Sequence, residues 1–138
     1  MAFSLLALIL LGPVVGAEAP EKVQSGVALA IDGRYEEALQ IFQQLLRRDP
    51  DRPLFHYLAG MCHFYLDNLR VARAHLEIAA AAERQESFPK AYFWLAQVHL
   101  TEDRHQKALS VVEDGLRRFP QNQDLLDLDR EIREATAR

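Results

Sequence analysis

Three alanines, Ala38, Ala72 and Ala108, stand 34 and 36 residues apart, and each carries the same company with it. Four residues after each comes a larger apolar side chain, Phe42, Leu76 or Val112, and twelve residues before each comes a small one, Gly26, Gly60 or Ala96. A period this long describes a unit of two short elements that cannot bury its apolar side alone, so the units must stack. The stretch from Asp32 to Pro50 shows what one element is. Ala38, Leu39, Phe42, Leu45 and Leu46 recur at helical spacing, which predicts an amphipathic helix starting near Tyr35. Gly33 supplies the turn before it, Arg47 and Arg48 suit the negative end of the helix dipole, and Pro50 stops the hydrogen-bond ladder.

Small, aromatic and proline residues in this order, at a period of 34, resemble the tetratricopeptide repeat (TPR) family, in which a helix, a turn and a second helix recur. The resemblance runs from about Ala19 to Pro120. It implies an all-α solenoid of three helix-turn-helix hairpins, at about residues 20–52, 53–86 and 87–121, followed by a capping helix over 122–138. The first unit keeps Gly26, Ala38, Phe42 and Pro50; the second has His63 where an aromatic is usual and Arg84 in place of the terminal proline. Two extra residues fall within Gln85 to Phe88, and the third unit has Ala96 for glycine and Gly115 at a packing position.

Local signals place the remaining helices. Glu21 to Ile31 carries Val23, Val27, Ala30 and Ile31 toward one side, and Pro53 suits the first turn of a helix that runs to Leu66. Leu58, Ala59, Gly60 and His63 on that helix face a partner expected from Leu69 to Glu83, after a turn at Asp67 and Asn68. In the third unit Ser87 is the expected cap of a helix over Pro89 to Leu100, and His105 to Arg118 is its partner after a turn at Asp103 and Arg104. Asn122 to Ala137 puts Leu125, Leu128, Ile132 and Ala135 on one stripe among charges, as a helix closing the open end of a solenoid requires.

Residues 1–19 stand outside the repeat. Phe3 to Leu11 is apolar apart from Ser4, Gly12 and Pro13 break it, and small residues follow up to Ala19. The segment resembles a secretory signal peptide cut after Ala17 or Ala19, although no Lys or Arg occurs before Lys22. The run is shorter than the roughly 20 apolar residues of a spanning helix. Retention as an apolar N-terminal helix, or as an anchor, are the other readings. The chain is therefore expected to be exported, periplasmic or secreted, with membrane attachment or a cytoplasmic location as alternatives.

Chemistry finds little support. A formal charge of −4, with acidic and basic residues interspersed, gives no electrostatic reason to hold nucleic acid. The one cysteine, Cys62, excludes an intrachain disulfide within this sequence. There is no glycine-rich phosphate loop, nucleophile elbow or paired-ligand metal pattern. His56 and His63 lie two turns apart on one helix, and His63 and His99 are equivalent by phase. They read as packing residues rather than ligands. No catalytic residue, metal or cofactor is expected, and the chain is expected not to be an enzyme.

Binding remains. In the TPR family the first helices of successive units line a concave groove for an extended or helical peptide. By phase the resemblance assigns to it Val23, Val27 and Ala30; Leu54, Tyr57, Met61, Phe64 and Tyr65; and Lys90, Phe93, Gln97 and Leu100. The family's carboxylate clamp for chaperone tails is matched only by Lys90, because Val23, Val27, Leu58 and Trp94 occupy its other positions. Tyr57, Met61, Phe64 and Tyr65 should form an aromatic and methionine patch, joined by Phe93. The expected partner is thus an apolar or amphipathic protein segment. Self-assembly into a homo-oligomer, or a cytosolic secretion-type chaperone with its N-terminal helix retained, are the alternatives.

Overall fold

The computed structural model describes residues 18–82 and 88–138. Among the described residues it consists of seven α-helices: α1 (Glu18–Ile31), α2 (Tyr35–Arg48), α3 (Pro53–Tyr65), α4 (Leu69–Ala80), α5 (Pro89–Thr101), α6 (His105–Arg118) and α7 (Gln123–Thr136). Each helix packs on the next, which gives hairpins α1–α2, α3–α4 and α5–α6 with α7 laid against α6 and α5. The all-α solenoid expected from the repeat is the fold observed.

One device closes all three hairpins. Gly33, Asp67 and Asp103 sit at equivalent places with positive φ of 78°, 59° and 63°. The next residue's amide then reaches back five residues: Arg34 to Leu29 O at 2.9 Å, Asn68 to His63 O at 2.9 Å, and Arg104 to His99 O at 2.8 Å. This is the six-to-one bond of a left-handed helix stop. Glycine takes that conformation freely and aspartate with modest strain, so the turn survives two changes of residue.

Packing follows the period. Ala38, Ala72 and Ala108 are fully buried, as are Phe42, Leu76 and Val112. The core separates into two apolar clusters. One joins α1, α2 and α3 through Val23, Phe42, Leu45, Phe55, Leu58 and Cys62; the other joins α4 to α7 through Leu76, Tyr92, Leu95, Val112, Leu125 and Ile132. Their boundary therefore runs between the two helices of the middle hairpin.

Several expectations require correction or lie out of reach. Helix α4 ends at Ala80, short of Glu83, and Tyr92 caps that end by donating its hydroxyl to Ala80 O at 2.7 Å. The N-cap of α5 is Phe88, in an extended conformation; Ser87 and most of the two-residue insertion lie outside the described residues, as does the leader-like segment up to Ala17. On α7 the stripe stops early. Leu125, Leu128 and Ile132 are buried, but Ala135 is exposed. Asn122 starts α7, its Oδ1 accepting the Leu125 amide at 3.1 Å.

Candidate protein-binding face

Helices α1, α3 and α5 present the residues assigned to the groove, and the structure sorts them by burial. Val23 and Ala30 are buried, Val27, Leu54, Tyr57, Met61, Phe64, Phe93, Gln97 and Leu100 are half-buried, and Tyr65 and Lys90 are exposed. The stripe on α3 is divided between two cores. Met61 and Leu54 pack on the first apolar cluster, Phe64 on the second together with Phe93 of α5, and Tyr57 on both. Its members are thus support for the face as much as the face itself.

The surface is built on rings. Tyr65, 46% exposed, stacks in parallel on Tyr35 with centroids 4.5 Å apart and planes 3° apart. Trp94 meets Tyr65 edge-on at 5.4 Å and Phe64 at 5.1 Å, and Phe93 meets Trp94 edge-on at 5.5 Å. Tyr57 stacks on Phe88 at 6.0 Å. Tyr35 comes from the first hairpin, Phe64 and Tyr65 from the second, and Phe93 and Trp94 from the third, so one aromatic run crosses every hairpin. Such pairs contribute on the order of 0.5–1.5 kcal/mol each beyond the area they bury.

Tyr35 and Trp94 are absent from the assignment by phase. Trp94 occupies the position of Leu58, which is buried, but an indole is larger than that slot and stays half-exposed beside Tyr65. Tyr35 begins a second helix, which the groove rule does not consider. The signal available was the crowding of rings at the hairpin ends, with Tyr35, Tyr65 and Trp94 each one or two residues from a turn or another aromatic.

The electrostatics are those of an apolar site. Helix α3 contains no Asp, Glu, Lys or Arg. Burial pushes the Tyr57 hydroxyl up to about 12, with Trp94 acting in the opposite direction, and burial with neighbouring Tyr35 raises that of Tyr65. Cys62 is inert, its thiol pushed up to about 11 by burial. A cleft of about 420 Å³ opens elsewhere, between α4 and α6, where Asp114, Arg117 and Arg118 make its lining charged. Its chemistry differs from that of the ring surface, and it shares no residue with the groove assignment. Among the described residues no group of three His, Cys, Asp or Glu is placed to hold a metal, and no helix is long and apolar enough to cross a membrane.

Two Tetratricopeptide repeat family models match the chain, one over residues 29–88 and the other over residues 2–52. The chain is thus similar to tetratricopeptide repeats over stretches within residues 2–88. Among relatives, the BBSome complex member BBS4 homolog of Drosophila melanogaster is 26% identical over 113 residues, 73% of this chain and 23% of that protein. U-box domain-containing protein 70 of Oryza sativa subsp. japonica is 28% identical over 94 residues, 68% of this chain and 11% of that protein. The chain thus spans 23% and 11% of these relatives. Solved TPR structures share the fold. The first TPR of Spaghetti (RPAP3), bound to the HSP90 peptide SRMEEVD, has a TM-score of 0.77 at 23% identity, covering 92% of this chain and 100% of that one. The Sgt2 TPR domain of Aspergillus fumigatus has a TM-score of 0.80 at 15% identity, covering 91% and 85%. The Yersinia enterocolitica type III secretion chaperone SycD, in complex with a peptide of the translocator YopD, has a TM-score of 0.74 at 16% identity, covering 89% and 92%.

Proposed function

We propose that this TPR chain is a non-enzymatic protein-interaction module that takes an apolar or amphipathic segment of a partner along the face of α1, α3 and α5. The observation that carries the reading is Tyr65, a large exposed ring stacked on Tyr35 and met edge-on by Trp94 within an aromatic run that joins all three hairpins. Preorganised aromatics of this kind dominate binding energy, because little freedom is lost when a partner covers them. Structures of the same fold hold peptides, among them the HSP90 peptide SRMEEVD and a YopD peptide. With Lys90 alone at a clamp position and no charge on α3, an acidic tail finds few counter-charges here. An apolar segment fits the chemistry better.

The test is an array of short synthetic amphipathic and acid-tailed peptides read by fluorescence anisotropy. Amphipathic members should bind, and Tyr65→Ala should weaken that binding tenfold or more with helicity unchanged. Preferential capture of the acid-tailed members would overturn the reading.

Export is the accompanying proposal. It rests on the Phe3–Leu11 apolar run and the small residues before Glu18, where α1 begins. A second reading, retention of that segment as part of the repeat array, is favoured by the family match beginning at residue 2. N-terminal sequencing of the native protein decides between them: an end at Glu18 or Pro20 supports export, and an intact Met1 supports retention.

A further inference from the structure

The boundary between the two apolar clusters is filled by imidazoles. His56 and His63 on α3 are buried, and His75 reaches them from α4. His56 Nε2 lies 2.7 Å from Pro50 O and its Nδ1 lies 2.9 Å from His75 Nδ1, while the His63 ring stacks on His75 with centroids 5.6 Å apart and planes 9° apart. The Pro50 carbonyl can only accept, so His56 Nε2 carries a hydrogen. In the neutral cluster His56 Nδ1 is then the acceptor and His75 Nδ1 the donor. One added proton can be shared by exchanging those roles. A second would set two N–H groups against each other at 2.9 Å, and a charge on His63 would lie face to face with His75.

We propose that the His56–His63–His75 cluster is an acid-sensitive fastener, whose protonation parts α3 from α4 and so dismantles the aromatic face that α3 carries. The consequence for binding rests on the function proposed above; the opening itself does not. His56 and His63 alternate along α3 with Tyr57 and Phe64, so a shift of the buried side moves the ring side with it. The two helices are closely packed here, with Gly60 lying against Leu76, so like charges between them cannot move apart unless the helices do.

The surroundings supply no compensating charge to His75. Burial first, and then His56 and His63, bring it down from 6.5 to about 4; burial lowers His63 as well. Asp49, at the end of α2 beside Arg48, pairs with Arg52 at 3.8 Å. From α5, His99 faces Glu102 at 3.9 Å, and Arg73 of α4 is turned to the same carboxylate at 3.0 Å, with Arg104 at 3.3 Å. Depressed imidazoles bind fewer protons folded than unfolded. Their stabilisation is full above pH 6.5 and is lost as pH falls toward 4. If two protons are taken up on opening, the equilibrium moves about a hundredfold per pH unit within that window.

The experiment follows the free protein from pH 7.5 to 4 by the fluorescence of Trp94, its one tryptophan, and by hydrogen exchange of α3 and α4. A cooperative opening centred between pH 6 and 4.5 is expected. His75→Asn, which keeps an N–H beside His56 Nδ1 but does not titrate, should move the midpoint down by half a unit or more, while Glu102→Gln should leave it in place. A stable fold down to pH 4, or an unchanged midpoint in His75→Asn, overturns the proposal. If that variant fails to fold, proton NMR of the wild-type protein decides: independent titrations of His63 and His75 near 6.5 overturn it, and coupled titrations of the two below 6 support it. Failure of every peptide to bind at pH 7.5 would sink the binding face and leave the fastener standing.

Discussion

The ring of Phe42 lies so close to the Cα of Gly26 that a β-carbon on that glycine would stand 2.5 Å from Phe42 Cε1. The equivalent contact one repeat on is Gly60 against Leu76, where a β-carbon would stand 2.7 Å from Cγ. In the third hairpin the pair is Ala96 and Val112, both fully buried. Bulk on one helix is traded for bulk on the other. Gly26→Ala should therefore destabilise by about 1–3 kcal/mol through overpacking, less the roughly 1 kcal/mol that alanine gains over glycine in a helix. Phe42→Val in the same chain should recover part of the loss by reproducing the third hairpin's pair. A thermal-melt cycle over the single and double variants checks this, and strict additivity would show that the two residues do not compete for space.

That exchange explains what the sequence could disclose. Period and residue size report on the interior of a hairpin, so Gly26, Ala38 and Phe42 revealed the helices and their packing. Contacts that depend on which residue crosses to a neighbouring helix are not periodic. Phase grouped His56, His63 and His99, whereas the structure joins the first two to His75 and turns His99 toward Glu102. Trp94 was hidden in the same way, since its phase is that of buried Leu58 and only its size sends it to the surface beside Tyr65.

The end of α4 depends on a single hydroxyl. Tyr92 is buried and donates to Ala80 O at 2.7 Å, and Arg118 donates to Ala82 O at 2.6 Å just beyond it. Tyr92→Phe keeps the ring and strands a carbonyl in the last turn, at a cost of about 1–2 kcal/mol. Its melting temperature should fall by a few degrees with helicity unchanged. An unshifted melt would mean that solvent satisfies Ala80 O.

Removing α7 should expose more than one residue. Leu125, Leu128 and Ile132 are buried, and Leu125 reaches the Gly115 notch of α6 beside Tyr92. Deleting residues 122–138 uncovers that face of the last hairpin, so the truncated chain should aggregate or associate on size-exclusion chromatography. A monomer of unchanged stability would make α7 dispensable to the core.

Neighbouring rings on α3 should separate folding from binding. Phe64 packs against the second apolar cluster, so Phe64→Ala should cost about 3–5 kcal/mol, and the same reasoning applies with less force to Tyr57, which touches both clusters. A Tyr57→Ala, Phe64→Ala double variant would therefore lose peptide binding through the fold, whatever its surface did. Tyr65 offers the cleaner measurement. It is 46% exposed, and its folded-state support is a stack on Tyr35 with edge contacts to Trp94 and Phe64, so Tyr65→Ala should lower stability by only about 1 kcal/mol. Peptide affinity should nevertheless fall tenfold or more, since a central exposed aromatic is where binding energy concentrates. Tyr65→Phe, which keeps the stack and removes the hydroxyl, should bind nearly as well as the wild type. Equal affinity in Tyr65→Ala and the wild type, measured on proteins of matched helicity, would move the binding face away from these rings.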